Sequence, residues 1–503
     1  MKYLFPLLLL ALMACQKPTP PDPYTQMARS YADSSWTTFR EFLSLPNDAH
    51  FPDDIMRNVE WCETHFGQRG FTTERLETET VPLLLAGRQV EGAERTILFY
   101  LQLDGQPVDS IQWNQASPWQ PVLKEKNRRG EWKEIPWSRL TEDYDPDYRI
   151  FGRATADAKG PVMMFLLGWD ALLDSSQLPS YNVKVIMDFE EEMGSPHLPQ
   201  AVKENREALA ADALLIFDGP RHLSNQPTLS YGARGIADVT LTVYGPRAPQ
   251  HSGHYGNYLP NPAVRLAELI ASFKDDAGRV TIPGWYDGIE LTPEVDSVLA
   301  NVPDDEREIL RRMGVAAPDS VADSYQAALQ YPSLNVRGLS SGWVGDEART
   351  IIPAEAIAEI DIRLVKESDP ERLIGLLRAH CEAQGYRLLS RAPTERDRRD
   401  AERLLGFQAS VSYQAFRTPL DSEVGDFLRG AMTQAFGEPP IEIRTMGGSI
   451  PISPFVNTLD VPAVVVPTVN RDNNQHSPNE NLRVGNYVEG IKTLHAIFRE
   501  DFE

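Results

Sequence analysis

Three short apolar runs, at 96–103, 183–189 and 213–217, each give way at their C-terminal end to acidic or amide side chains. Runs of four to eight apolar residues match buried strands of an α/β sheet, and the segment 161–173 between two of them fits a crossover helix. The ends of such strands are where open α/β sheets form their sites. A chain of 503 residues is long enough for two domains, each burying its own core. The span 24–69 reads as helical, with Phe39, Phe42 and Leu43 recurring at helix spacing. Around Gly235 the pattern changes. Residues 236–244 alternate as a half-buried strand, 262–273 read as a helix, 356–364 as a strand and 371–384 as a helix. That β-α-β-α order suits a small sandwich inserted within a larger domain. After a charged stretch at 391–403, a helix at 422–436 and a strand at 463–466 resume the first pattern. The expected organisation is a catalytic domain at 24–234 and 391–503, interrupted by an inserted domain at 235–390.

The formal charge of −23 repels phosphate backbones, and no Lys/Arg-rich run offsets it locally, which argues against nucleic acid as a partner. The N-terminus carries an address. Met1-Lys2 supplies a positive charge, residues 4–13 are apolar apart from Pro6, and Leu12-Met13-Ala14-Cys15 ends the run. The stretch is too short to span a bilayer, which takes about 20 residues, and reads as the core of a signal peptide. Leu-Met-Ala-Cys resembles a bacterial lipobox, which would make Cys15 the lipidated first residue of an exported, membrane-anchored protein. Residues 16–23, polar and rich in proline, then form an extended tether. Cys62 and Cys381 lie far apart in different expected domains, and no CxxC spacing is present, so any metal must use carboxylates and histidines.

Five clusters carry the chemistry. Gln102 and Asp104 stand two residues apart at a strand end, so their side chains share a face. Gly152-Arg153-Ala154-Thr155-Ala156-Asp157-Ala158-Lys159-Gly160 is a glycine-bounded loop that can hold one carboxylate rigidly. Glu190-Glu191-Glu192 follows a strand directly, and three adjacent carboxylates at such a place call for a nearby cation. Asp218 ends a further strand, and His476-Ser477-Pro478-Asn479-Glu480 lies in a polar loop after another. Taken singly, each has an ordinary reading: a solvated turn, a helix cap, a surface histidine. Jointly they supply carboxylates and imidazole, ligands suited to zinc, with a spare carboxylate for acid–base work.

The order of these clusters resembles the M20 metallopeptidases, especially the dipeptidase branch related to carnosinases. The matching segments are Leu103-Asp104-Gly105-Gln106-Pro107-Val108-Asp109, Glu191-Glu192-Met193-Gly194-Ser195-Pro196, His251-Ser252-Gly253-His254-Tyr255-Gly256, Gly447-Gly448-Ser449-Ile450-Pro451 and the run from His476 to Glu480. The resemblance extends from about Arg40 to the C-terminus. It implies a zinc-exopeptidase-like α/β catalytic domain with an inserted α+β sandwich serving as lid and dimerisation domain. It also implies a hydrolase that cleaves the amide bond of dipeptides, short peptides or N-acyl amino acids. By the same resemblance Asp157 bridges two metal ions, Glu192 and His476 complete one shell, and Asp218 belongs to the other. Glu191 is then the general base on metal-activated water, with Asp104 as its catalytic neighbour. His251, Asn335, Arg363, Gly448 and Ser449 face the substrate, and His251 reaches the partner subunit of a homodimer.

One departure stands out. The family's first metal-binding histidine is replaced by Gln102, whose amide oxygen is a poorer zinc ligand than imidazole. An expectation follows that Asp104 accepts a hydrogen bond from the Gln102 amide and turns its oxygen to the metal. Ala154 and Ala158 are lesser departures. Three readings are open: a hydrolase with one tightly held ion, a two-ion enzyme accepting Gln102 with zinc, manganese or cobalt, and a catalytically silent peptide-binding protein.

Overall fold

The computed structural model describes residues 22–502, so the apolar run, the lipobox cysteine Cys15 and most of the tether lie outside the described residues. The larger domain is built on an eight-stranded mixed sheet. Its order runs Thr72–Leu76, Leu83–Arg88, Asn182–Asp188, Thr96–Gln102, Ala213–Ile216, Ala463–Val465, Thr228–Ser230 and Ile441–Ile443. The four central strands, from Asn182–Asp188 to Ala463–Val465, are mutually parallel. Thr96–Gln102 shows why its sequence is continuously apolar. Ile97, Phe99 and Leu101 enter the core on one face, while Leu98 and Tyr100 enter a separate core on the other. A strand covered on both faces has no polar side to show.

On the first face the helix Lys159–Asp174 packs against Val484–Arg499 and Pro23–Leu43. Lys159–Asp174 is buried around almost its whole circumference. The close approach to its partner falls at Gly168, where an added Cβ would stand 2.9 Å from Leu494 Cβ and 3.0 Å from the His495 nitrogen. The span expected to be helical at 24–69 is two helices, Pro23–Leu43 and Pro52–Gln68, because Pro46 and Pro52 cannot continue a helix but can start one.

The inserted domain is a five-stranded sheet in the order Ser333–Ser340, Glu355–Leu364, Gly235–Tyr244, Leu404–Tyr413 and Arg387–Leu389. Gly235–Tyr244 alternates strictly between buried and half-buried residues, the pattern read in the sequence. One boundary needs correction. Leu404–Tyr413 pairs along the length of Gly235–Tyr244, so the inserted sheet runs past residue 390 and closes only at Tyr413. The charged stretch before it hides this, because its arginines and acids form the short helix Glu395–Asp400, exposed apart from Asp397 and Arg398. A second unforeseen feature is an excursion at 283–332 carrying the helices Pro293–Ala300, Glu306–Met313 and Tyr325–Ala328. It crosses to the larger domain, where His222 Nε2 meets Asp304 Oδ1 at 3.0 Å. Gln326 donates to the other Asp304 oxygen at 2.7 Å.

A small antiparallel sheet matters most for the site. It joins Arg149–Phe151 to Asn481–Arg483 and so brings the loop at 152–157 beside the loop at 476–480. Cys62 and Cys381 are buried free thiols in different cores. Gly168→Val should force the two packed helices apart and lower stability by about 2–3 kcal/mol in denaturant unfolding.

Candidate metal centre

Parallel strands end on the same side of a sheet, and the acidic strand ends therefore converge. Asn182–Asp188 leads into Glu190, Glu191 and Glu192; Thr96–Gln102 ends at Gln102; Ala213–Ile216 leads to Asp218. The three adjacent glutamates point three ways. Glu190 is buried and accepts a hydrogen bond from Thr80 Oγ1 at 2.6 Å. Glu192 turns to His476, at 3.2 Å from Nε2. Glu191 faces the other carboxylates, and burial together with Asp218, Asp157 and Glu192 raises its pKa well above the ordinary value.

Asp157 is held through its backbone. Glu480 is fully buried, and its two carboxylate oxygens accept from the backbone nitrogens of Ala154, Ala156 and Asp157 at 3.0–3.1 Å. It also accepts from Arg153 Nη1 at 2.7 Å. One side chain thus organises the whole loop, and Asp157 is left with its oxygens free to face the site. The Asp157–Ala158 peptide is cis.

Asp157, Glu192 and His476 each offer a donor atom, all within 4.8 Å of one another. His476 Nε2 lies 3.1 Å from Asp157 Oδ2. Gln106 donates to Glu192 at 2.8 Å, and Gln475 to Asp157 at 3.4 Å. Two carboxylates and an imidazole so close together fit one divalent cation of the zinc class. Burial and the neighbouring Asp157 push Glu192 up to about 8 and Asp218 up to about 7. Hydrogen bonding to Asp157 carries His476 up to about 9. Such crowding of like charge is what a bound cation would relieve.

At the second position the amide of Gln102 presents its nitrogen to Asp157 Oδ1 at 2.7 Å and to Asp218 Oδ1 at 3.1 Å. Its oxygen is buried and has no hydrogen-bond partner among the described residues. The expected bond to Asp104 is not made, which corrects the sequence reading. Asp104 instead accepts the backbone N–H groups of Glu191 and Glu192, at 3.0 and 2.9 Å. Its task is to fix the turn that aims both glutamates, a role that spacing along one strand does not reveal.

From the inserted domain, Arg363 donates to Ser449 Oγ at 2.8 Å and lies 3.5 Å from Asp361. Asp361 also accepts from Asn335 at 2.8 Å, which links Asn335 to Arg363 and Ser449. The Gly448 carbonyl accepts from the Arg234 nitrogen at 3.2 Å, which anchors the Gly447–Gly448–Ser449 loop. His251 stands apart. It is exposed, lies tilted against His254 with ring centroids 4.6 Å apart, and makes no bond to the metal centre within its own chain. Gln106, Gln475 and Glu480 were not singled out as site residues in the sequence. Gln106 and Glu480 carried a signal, as members of the matched segments 103–109 and 476–480, whereas Gln475 lies outside both.

Carboxylates and a histidine converging at the C-terminal ends of the parallel central strands, in a chain with an inserted α+β domain, define a metal-dependent hydrolase. A family model described as Peptidase family M20/M25/M40 matches residues 120–500. The chain belongs to that family and is a hydrolase acting on peptide bonds. It is 28% identical over 485 residues to the Cys-Gly metallodipeptidase dug1 of Schizosaccharomyces pombe, covering 92% of this chain and 94% of the relative. It is 26% identical to the human Beta-Ala-His dipeptidase over 426 residues, covering 83% and 77%. Among solved structures, the M20 family metallo-carboxypeptidase Sso-CP2 from Sulfolobus solfataricus matches with a TM-score of 0.75 at 26% identity, covering 93% of this chain and 98% of that one. Human carnosine dipeptidase 1 shares the fold, with a TM-score of 0.73 at 23% identity, covering 95% and 99%.

Glu480→Gln places an amide against four N–H donors and should loosen the Asp157 loop. Metal affinity, read by chelator competition, is expected to fall about 10–100-fold.

Proposed function

We propose that the protein is a dipeptidase that also accepts N-acyl amino acids, with zinc as its metal and Glu191 as its general base. The observation that carries this reading is the Asp157–Glu192–His476 constellation with Glu191 beside it, unbound to any of the three. The cation, when bound, supplies Lewis-acid activation of water and of the scissile carbonyl. Glu191 takes the proton from water and later delivers it to the leaving amine, and its raised pKa suits both halves of that task. Asp104 holds the turn so that Glu191 and Glu192 point to their separate duties. Arg363, whose planar fork matches two carboxylate oxygens, binds the free carboxylate of the substrate beside Ser449. Gly448 lets the peptide backbone approach closely. The names of the relatives, a Cys-Gly metallodipeptidase and a Beta-Ala-His dipeptidase, favour a dipeptide over a longer chain.

The reading takes one tightly held ion per chain. Gln102 carries no charge, and its amide nitrogen already lies against both Asp157 and Asp218. A catalytically silent binding protein would have no use for so many buried carboxylates at one strand edge, since each resists burial. Homodimerisation through the inserted domain would give exposed His251 a site to serve in the partner. Anchoring through Cys15 would set the reaction outside the cytoplasm, on a bacterial membrane. No helix among the described residues is long and apolar enough to cross one.

Three measurements test these statements. Glu191→Gln should lower kcat on a mixed dipeptide library by about 10²–10⁴-fold while metal content is unchanged; retained turnover would remove Glu191 from its role. Elemental analysis of zinc-loaded protein should find one ion per chain, rising to two in Gln102→His. Cys15→Ser should move the protein from the membrane fraction to the soluble fraction of expressing bacteria.

A further inference from the structure

Two residues beyond Asp218, a cavity of about 530 Å³ opens between the larger domain and the excursion of the inserted domain. Pro220, Leu223, Ile443 and Met446 line one side, and Ile309 and Met313 the other. Gly447 and Gly448 belong to the same wall, next to the Ser449 that holds Arg363. The cavity therefore adjoins the loop on which a substrate carboxylate would rest.

Its mouth is cationic. Arg312 and Arg471 line both this cavity and an adjoining depression that Arg149 and Arg483 share. Arg149 is held by Asp472, Arg483 by Asp147, and Arg221 in the wall by Glu489. Glu308, on the same helix as Arg312, has both oxygens engaged by Arg311. Arg312 and Arg471 are exposed and make no hydrogen bond or ion pair among the described residues. Asp304, the acid in the lining, is buried with its two oxygens taken by His222 and Gln326. In a chain of net charge −23, with 72 acidic residues against 49 basic ones, two unpaired arginines at one mouth run against the composition.

We propose that this cavity receives a substrate side chain that ends in a carboxylate, so that the enzyme prefers peptides carrying an acidic residue. The apolar walls take the methylene stem, and Arg312 and Arg471 take the acid, whose geometry a guanidinium matches with two parallel N–H donors. This rests on the peptidase reading above and adds the substrate class to it.

The test compares peptides differing only in that charge: glycyl-glutamate against glycyl-glutamine, and the same pair in reverse order, with the metal-loaded protein. One order should show kcat/KM at least about tenfold higher for the acid, the effect of one charge-assisted hydrogen bond. The ratio should fall towards one in the Arg312→Gln, Arg471→Gln double variant and invert towards lysine-containing peptides in Arg312→Glu, Arg471→Glu. Equal rates for acid and amide in both orders, or a ratio indifferent to the substitutions, would overturn the proposal. Calorimetric binding of the same pairs to the Glu191→Gln protein judges the cavity independently of turnover. Tighter binding of the acid peptide supports the cavity's assignment even where no peptide is cleaved and the peptidase reading itself has failed, and equal binding overturns it.

Discussion

The repulsion among buried carboxylates at the ends of the central strands is the constraint on which the rest of the molecule depends. Asp104, Asp157, Asp188, Asp218, Glu191 and Glu192 all sit in or beside the protein interior. Each must find a compensating partner, because an unpaired charge out of water costs several kcal/mol. The fold answers in two ways. Asp104 and Glu480 are matched by backbone N–H groups, and Asp188 by Ser195 and Tyr100, so these acids act as scaffolding. Asp157, Glu191, Glu192 and Asp218 face one another instead, with His476, the amides of Gln102, Gln106 and Gln475, and the Gly219 N–H that Asp218 accepts among them. A cation is the natural complement to that second set, and it is why the scaffolding acids are needed: they hold like charges where they would not otherwise stay.

The inserted domain meets the larger one at the Ser449 loop. Asn335, Asp361, Arg363 and Ser449 form a continuous polar chain from its sheet to the loop of the larger domain. The excursion adds a second contact through Asp304, buried between His222 and Gln326. Both contacts are polar and directional, so they fix how the two domains face one another more sharply than an apolar interface of similar size would. The cleft between them is consequently shaped by residues far apart in the chain.

Much was legible in the sequence because it depends on local rules. Apolar runs of strand length, the alternation in 236–244 and the polar residues ending each strand reveal elements and their ends, since burial on one face or two dictates the side-chain pattern. The sequence by itself determined that carboxylates, a histidine and an out-of-place glutamine stand at strand ends, because those are statements about chain position. What each does with its hydrogen bonds could not be read there. Asp104 turned out to serve the Glu191–Glu192 turn rather than Gln102, and Glu480 to serve Asp157 across 323 residues of chain. The inserted sheet extends to Tyr413 because a strand partner is chosen in space. Tertiary structure alone decided these things, for a physical reason: a hydrogen bond or an ion pair is settled by distances of about 3 Å, and only folding brings residues hundreds of positions apart to within that range.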